Sequence, residues 1–391
     1  MPPIDANSLT RIKANQTIAA QRLNEALGAS SEGGNTVTRT EWDQFTAPLL
    51  DRTGTAWMTQ SAKRQLRDTC YANAGEFEAP EVMRTFWDDV GAGVVPDTLV
   101  STGGQGGPVK DPDILTEDIN KVTYQTVDGS VVLGDINGDD SQQGQIGDCF
   151  EAASESEAAL KGAIADALTE QPDGTKLTLL ELNSRYHQIA TAAPGAVDLP
   201  KLYCRFFQRQ YDGNFKKVFI PYDADFPTLN GGLRYAHARD PGELWPAIVE
   251  KCYADFVDQS NGTHGGYNSI GKGGSPGEAM EALFGRPARY VPITPRTTAA
   301  QVASVMNQIK QKNLAFCLVT YPEDSKVDSE SHRIYKDHTY AGWVSRTNSP
   351  DQVSERNPWG EVEYGNDGKN DGIFDIPIAD FVQYTSGIYV C

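Results

Sequence analysis

Residues 143–150 read Gln143-Gly144-Gln145-Ile146-Gly147-Asp148-Cys149-Phe150, and a helical pattern follows through Leu160. A cysteine in the first turn of a helix meets unpaired backbone N–H groups and the positive end of the helix dipole, both of which favour thiolate over thiol. An unperturbed thiol, with a pKa of about 8.5, is only a few per cent ionised at neutral pH, so a nucleophilic role also requires a neighbouring imidazolium. The chain has five histidines to supply one. A single cysteine reads by default as a small buried hydrophobe, and Cys204, Cys252 and Cys317 are read that way. The setting of Cys149 reads instead as that of a nucleophile.

Downstream of this stretch, strands alternate with helices. Residues 202–210 and 217–223 are apolar and aromatic strands separated by the turn Tyr211-Asp212-Gly213-Asn214, which predicts a hairpin. Residues 243–256 carry Leu244, Ile248, Cys252 and Phe256 on one helical face, with Pro246 tolerated in the first turn. Residues 298–311 read as a helix, 314–321 as a buried strand, 339–346 and 387–391 as further strands, and a polar loop delivers the chain to His338. Upstream, residues 8–27 have helical periodicity closed by Gly28. The segment Ser30–Glu41 has the faint outline of a calcium-binding loop, but Gly34 and Asn35 break that pattern. A capping box at Thr38 and Glu41 describes it better. Residues 100–112 read as a Gly- and Pro-rich linker.

Composition narrows the function classes. The chain has 391 residues, 39% of them hydrophobic, enough to fill the cores of two or three domains. Its net charge of −19, from 53 acidic and 34 basic residues, includes no basic cluster, which argues against a nucleic-acid partner. No stretch approaches the roughly 20 apolar residues of a membrane span, and the first residues lack the apolar core of a secretory signal. The sequons at Asn15 and Asn261 carry little weight without such a signal. Six widely spaced cysteines (Cys70, Cys149, Cys204, Cys252, Cys317 and Cys391) show neither metal-ligand spacing nor disulfide density. A reducing, cytoplasmic setting is the expectation.

The stretch around Cys149 resembles the signature of the calpain family of cysteine peptidases, Q-G-x-x-G-D-C followed by an aromatic residue. Asp337-His338-Thr339-Tyr340 resembles that family's Gly-His-Ala-Tyr. Arg356-Asn357-Pro358-Trp359-Gly360-Glu361-Val362-Glu363 resembles its R-N-P-W-G-x-V-E. Residues 242–254 and 218–227 resemble two intervening family motifs, so the likeness runs over about residues 116–391 in the family's order. The resemblance implies an α+β, papain-like core of two subdomains, in a minimal form preceded by a mainly helical amino-terminal region. The expected partition is 1–115 for that region and linker, 116–285 for the helical subdomain with the nucleophile, and 286–391 for the β-rich subdomain with histidine and asparagine.

Carried over by motif, Cys149 is the nucleophile and His338 the base, while Asn357 orients the imidazole. Gln143 and the Cys149 backbone N–H form the oxyanion hole, and Trp359 covers the histidine–asparagine pair. His332 is a competing base with no motif around it. The resemblance also implies calcium as a cofactor, with Asp140 and Glu243 at one site and Glu363 and Asp371 at another. Ile373 replaces an acidic residue at the second site, so the first is expected to bind better. The implied function is endopeptidase action on protein or peptide substrates. A catalytically silent scaffold and a papain-like acyl transferase are the alternatives. The helix after Cys149 departs from the family's apolar pattern by carrying Glu151, Glu155 and Glu157. The face bearing Glu151 and Glu155 is expected to be wet or paired, because burying an unpaired carboxylate costs several kcal/mol.

Overall fold

The computed structural model describes residue 109 and residues 111–391, apart from 194–195, 197, 211–212, 262–263, 344–350 and 366–368. The helix expected at 8–27, the capping box at Thr38, the mainly helical amino-terminal region, Cys70, most of the linker at 100–112 and parts of the Asn261 sequon and of the turn after residue 210 lie outside the described residues. The described residues up to Arg209 and from Phe215 onward form one compact unit.

In chain order the first elements are β1 (Thr123–Thr126), β2 (Ser141–Gln142), α1 (Cys149–Leu160), α2 (Ala163–Thr169), α3 (Leu179–Ala190), β3 (Leu202–Arg209) and β4 (Phe215–Tyr222). After them come β5 (Asp225–Leu229), β6 (Gly232–Leu233), β7 (His237–Ala238), α4 (Trp245–Asn261), α5 (Tyr267–Ile270) and α6 (Pro276–Phe284). The rest is β8 (Arg289–Pro292), α7 (Ala299–Lys312), β9 (Phe316–Thr320), β10 (Thr339–Gly342), β11 (Gln352–Arg356), β12 (Ile373–Pro377), α8 (Ile378–Tyr384) and β13 (Thr385–Val390).

The expected hairpin forms, with β3 and β4 paired from Leu202↔Tyr222 to Arg209↔Phe215. The predicted helix at 243–256 begins two residues later, at Trp245, and runs on to Asn261. α7 starts behind a capping box in which Thr298 and Gln301 satisfy each other's backbone N–H groups. It ends at Asn313, whose left-handed backbone suits a C-terminal cap.

Two apolar cores result. One gathers Phe206, Trp245, Tyr253 and Phe256 among α1–α6 and the β3–β4 hairpin. The other gathers Phe316, Tyr340, Phe374 and Phe381 around the sheet. That sheet is six-stranded, in the order β12-β11-β10-β9-β13-β8, with antiparallel pairing throughout. Since β10 and β11 are antiparallel neighbours with Ala341 opposite Arg356, the start of β10 and the end of β11 share one edge. His338 immediately precedes β10 and Asn357 immediately follows β11. Helix α1 lies on the same sheet through small side chains, with Ala153 packed against Cys317 and Ala341.

One buried cation holds the first core to its periphery. Lys251, on α4, donates to Asp111 Oδ1 at 2.6 Å, to Asp223 Oδ1 at 2.7 Å and to the Asp225 carbonyl at 2.6 Å. The Tyr124 and Phe226 rings flank its ammonium. Asp111, Asp223 and Asp225 have the spacing of a metal-binding group, but Lys251 already supplies their counter-charge. Lys251→Met removes the cation and leaves the acids facing one another, so it is expected to lower unfolding stability by about 3 kcal/mol in urea titration. An unchanged midpoint would contradict this assignment.

Candidate active site

Cys149 is the first residue of α1, as its sequence context suggested, and is 9% exposed. The approach to it depends on Gly144, where a Cβ would lie 2.1 Å from the Tyr235 carbonyl oxygen. The signature glycine therefore reports a close backbone crossing. Gln143 is tied to the other motif by its backbone, whose N–H donates to the Pro358 carbonyl at 2.8 Å. Its side-chain Nε2 donates to the Ile146 carbonyl at 2.5 Å, while Oε1 is buried without a partner.

His338 and Asn357 meet at the shared sheet edge, with Nε2 of the imidazole 3.0 Å from Oδ1 of the amide. The amide orientation is over-determined: Oδ1 also accepts the Trp359 N–H at 3.2 Å, and Nδ2 donates to the Val362 carbonyl at 3.1 Å. An acceptor at Oδ1 requires the imidazole proton to sit on Nε2 and leaves the Nδ1 lone pair free to act as a base. The Trp359 ring lies 4.6 Å from the imidazole, and the Tyr335 ring lies 4.7 Å from that of Trp359. Asp337, where the resembled motif has glycine, takes a left-handed φ of 49°. Glycine adopts that conformation without strain, and Asp is among the few other residues that tolerate it.

Charge is suppressed throughout this site. Burial pushes the Cys149 thiol up to about 11, with hydrogen bonding from Thr339 pulling the other way. Burial lowers His338 to about 4, opposed by its bond to Asn357. Among the described residues no hydrogen bond joins Cys149 Sγ to the His338 ring, so the resting forms are a neutral thiol and a neutral imidazole. His332, the competing base, pairs instead with Ser331 Oγ and Tyr384 Oη, at 3.0 and 3.1 Å.

Of the four carboxylates expected to hold calcium, Asp140 and Glu243 lie close enough to interact. Glu243 is pushed up to about 7, chiefly by burial and then by the charges of Asp140, Asp240 and Asp135, while its Oε1 accepts the Leu133 N–H at 2.8 Å. Asp140 is raised by burial and by Asp139 and Asp135. Repelling carboxylates suit a hard cation, and among the described residues neither Asp140 nor Glu243 forms an ion pair, although Arg239 pairs with the neighbouring Asp139 at 3.6 Å. Glu363 and Asp371 suit one less well. Glu363 Oε1 accepts the Gly372 N–H at 2.8 Å, and the guanidinium of Arg239 already donates to the Asp371 carbonyl at 2.9 Å.

Residues 120–371 match the family described as calpain family cysteine protease. Similar curated proteins include Calpain clp-4 of Caenorhabditis elegans, 28% identical over 177 residues, covering 44% of this chain and 23% of the relative. Calpain-B of Drosophila melanogaster is 22% identical over 365 residues, covering 84% and 33%. Calpain-8 of Homo sapiens is 25% identical over 288 residues, covering 66% and 36%. The chain thus spans between about a quarter and a third of these relatives' own length.

The carboxylates of α1 decide between the two outcomes expected for them, wet or paired. The face bearing Glu151 and Glu155 is not wet, since both are 0% exposed. Neither Glu151 oxygen receives a hydrogen bond from any donor, and Glu155 receives one, from Ser141 Oγ at 2.8 Å. Asp148 and Glu250 are buried beside them, Glu250 accepting from the Ala236 N–H. Glu157, farther along the helix, is buried as well and accepts the Phe316 N–H at 3.2 Å. No base lies among the Asp148–Glu151–Glu155–Glu250 cluster, so bound protons are what can join its members: Glu151 with Glu155, and Asp148 with Glu250. Burial accordingly raises all four, Asp148 to about 6 and the others well above the ordinary carboxyl value, and repulsion from neighbouring carboxylates adds to it at Glu151, Glu155 and Glu250. The sequence pattern concealed this because helical periodicity shows which residues share a face, not which face the sheet will cover.

Protons held in the fold but released by the unfolded chain stabilise the fold below the ordinary carboxyl pKa of 4.5. That contribution is lost as pH rises through the raised folded values. Between about pH 5 and about pH 9 the melting temperature should fall several degrees further for the unmodified chain than for Glu151→Gln/Glu155→Gln. Parallel melting curves would show that these side chains do not hold protons.

Proposed function

The chain belongs to the calpain family of cysteine proteases, and from that premise we propose that it hydrolyses peptide bonds in protein or peptide substrates through Cys149, His338 and Asn357. The observation that carries this reading is the 3.0 Å contact of His338 Nε2 with Asn357 Oδ1, which commits the Nε2 proton and leaves Nδ1 as the base. We propose further that the two apolar cores correspond to two subdomains divided near residue 285, with the substrate bound where they meet.

In the proposed reaction Nδ1 takes the thiol proton and Sγ attacks the scissile carbonyl carbon. The carbonyl π electrons move onto oxygen, where the Cys149 backbone N–H and the Gln143 amide hold the charge. As the C–N bond breaks, the leaving amine takes the proton from Nδ1. Water then attacks the resulting thioester, giving its proton to Nδ1, and the carboxylic acid departs as the thiol re-forms. Trp359 keeps water off the Asn357–His338 contact during these transfers. In the resting arrangement the proton stays on sulfur. Ion-pair formation requires Sγ and Nδ1 in contact, where thiolate and imidazolium stabilise each other. The intact set Cys149, His338, Asn357 and Gln143 favours turnover over a silent scaffold.

Asp140 and Glu243, with nearby backbone carbonyls, are the residues that would hold a calcium ion, and Glu363 and Asp371 would hold a second one less well. Such an ion would supply the positive charge that this acidic pocket lacks. Since Glu243 is raised to about 7, binding at this site would compete with its proton and tighten as pH rises through that value.

The purified chain should cleave an unstructured polypeptide. Cys149→Ala should lower turnover by at least about a thousandfold while leaving the melting temperature unchanged, and Gln143→Ala should lower kcat by about a hundredfold. Full activity in the Cys149→Ala protein would end this reading. Product transferred to an added amine, with no hydrolysis, would replace it with the acyl-transferase alternative. In calorimetry, calcium should bind the unmodified chain more tightly at about pH 8 than at about pH 6, and Asp140→Ala should bind it at least about tenfold more weakly at either pH. Equal binding by both proteins would remove calcium from the Asp140–Glu243 pocket.

A further inference from the structure

Arg356 is 0% exposed at the end of β11, one residue before Asn357. A guanidinium cut off from water costs several kcal/mol unless its hydrogen bonds are met, and among the described residues Arg356 forms no ion pair. Burial lowers it to about 10, with the Asp139, Asp140 and Asp371 charges acting only from a distance. Neutral acceptors hold its two terminal nitrogens instead, while Nε is buried without a partner. Nη1 donates to Ser156 Oγ at 3.0 Å, and Nη2 donates to the carbonyls of Asp139 at 3.1 Å and Ser141 at 2.5 Å.

Each acceptor belongs to a different part of the proposed machinery. Ser156 lies about two turns after Cys149 on α1, and its hydroxyl also donates to the Ala152 carbonyl at 3.1 Å. Asp139 and Ser141 flank Asp140 and lead directly into Gln143. Arg356 itself is bonded by its main chain to Asn357. One planar side chain thus spans sequence separations of 200 to 217 residues and touches the helix of the nucleophile, the oxyanion segment and the strand end of the orienting amide. A lysine ammonium, as a point charge without a fork, could not reach all three acceptors in this geometry.

We infer that Arg356 is a positioning residue that holds the nucleophile helix and the Gln143 segment in register with the strand end carrying Asn357 and, through it, His338. The inference rests on the cysteine-peptidase reading above. The Gln143 N–H bond to the Pro358 carbonyl joins the same two segments through the backbone.

The test compares the unmodified chain with Arg356→Met and Ser156→Ala, well below their melting temperatures and with calcium added. Two readouts are taken: steady-state cleavage of an unstructured polypeptide, and the pH dependence of iodoacetamide alkylation at Cys149 followed by mass spectrometry. A loss of register of the order of an ångström should lower kcat by about a hundredfold in Arg356→Met. KM should stay within about twofold, and alkylation, which burial holds back in the unmodified chain toward pH about 11, should shift to that of an ordinary thiol near pH 8.5 as the helix leaves its register. Ser156→Ala removes only the α1 acceptor and should shift both readouts the same way by a smaller factor. A folded Arg356→Met protein with the unmodified kcat and alkylation profile would overturn the inference. If Arg356→Met does not fold, Ser156→Ala decides alone, and unchanged readouts there overturn it equally. Should the unmodified chain not cleave the polypeptide, the triad reading fails first, and this assignment fails with it.

Discussion

The cost of placing charge in a dry interior governs both halves of this structure. Helix α1 carries Cys149, the proposed nucleophile, and is buried along nearly its whole length against a sheet that carries His338, the proposed base. Every polar group on that helix must therefore find a donor, an acceptor or a proton inside the protein. Cys149 rests as a thiol and His338 as a neutral imidazole for the same reason that Glu151 and Glu155 retain protons. Where a full charge does remain inside, as at Lys251 and Arg356, it is surrounded by several oxygens at hydrogen-bond distance.

This constraint also explains how the site is ordered. The sheet register brings His338 and Asn357 to one edge, and a set of mutually exclusive donor and acceptor roles then determines which imidazole nitrogen is basic. Asn357 cannot rotate its amide without losing the Trp359 N–H, the Val362 carbonyl and the imidazole together. The nucleophile is placed independently, by packing of small residues under α1 and by the backbone crossing at Gly144. Arg356 and the Gln143–Pro358 bond are where the two placements are joined, so alignment of the site depends on a few polar contacts more than on either apolar core.

Much of this was legible in the sequence, for identifiable reasons. The placement of Cys149 at a helix start was legible from the residue types around it, and the motifs of His338 and Asn357 named the two residues that the sheet brings within 3.0 Å. The β3–β4 hairpin announced itself through strand composition and turn residues, and α7 through its helical pattern. The burial of Glu151 and Glu155 was not legible, because carboxylates on a helix ordinarily mark its wet face. Only the tertiary arrangement, with α4 on one side and β9 and β10 on the other, reveals that this helix has none. Arg356 was read only as the first letter of a motif, since nothing local indicates that a strand-end arginine will reach a helix about 200 residues earlier. Asp337 could have been noticed sooner, because an aspartate in place of a motif glycine is a signature of left-handed backbone.

The central claim is that Cys149 forms a covalent acyl intermediate with its substrate while His338 and Asn357 manage the proton. Rapid acid quench during cleavage of an unstructured polypeptide, followed by mass spectrometry of the protein's own peptides, tests it most directly. A thioester adduct on the peptide containing Cys149, absent from Cys149→Ala, is the predicted result. Cleavage that proceeds with no adduct at Cys149, or with the adduct on another cysteine, would contradict it.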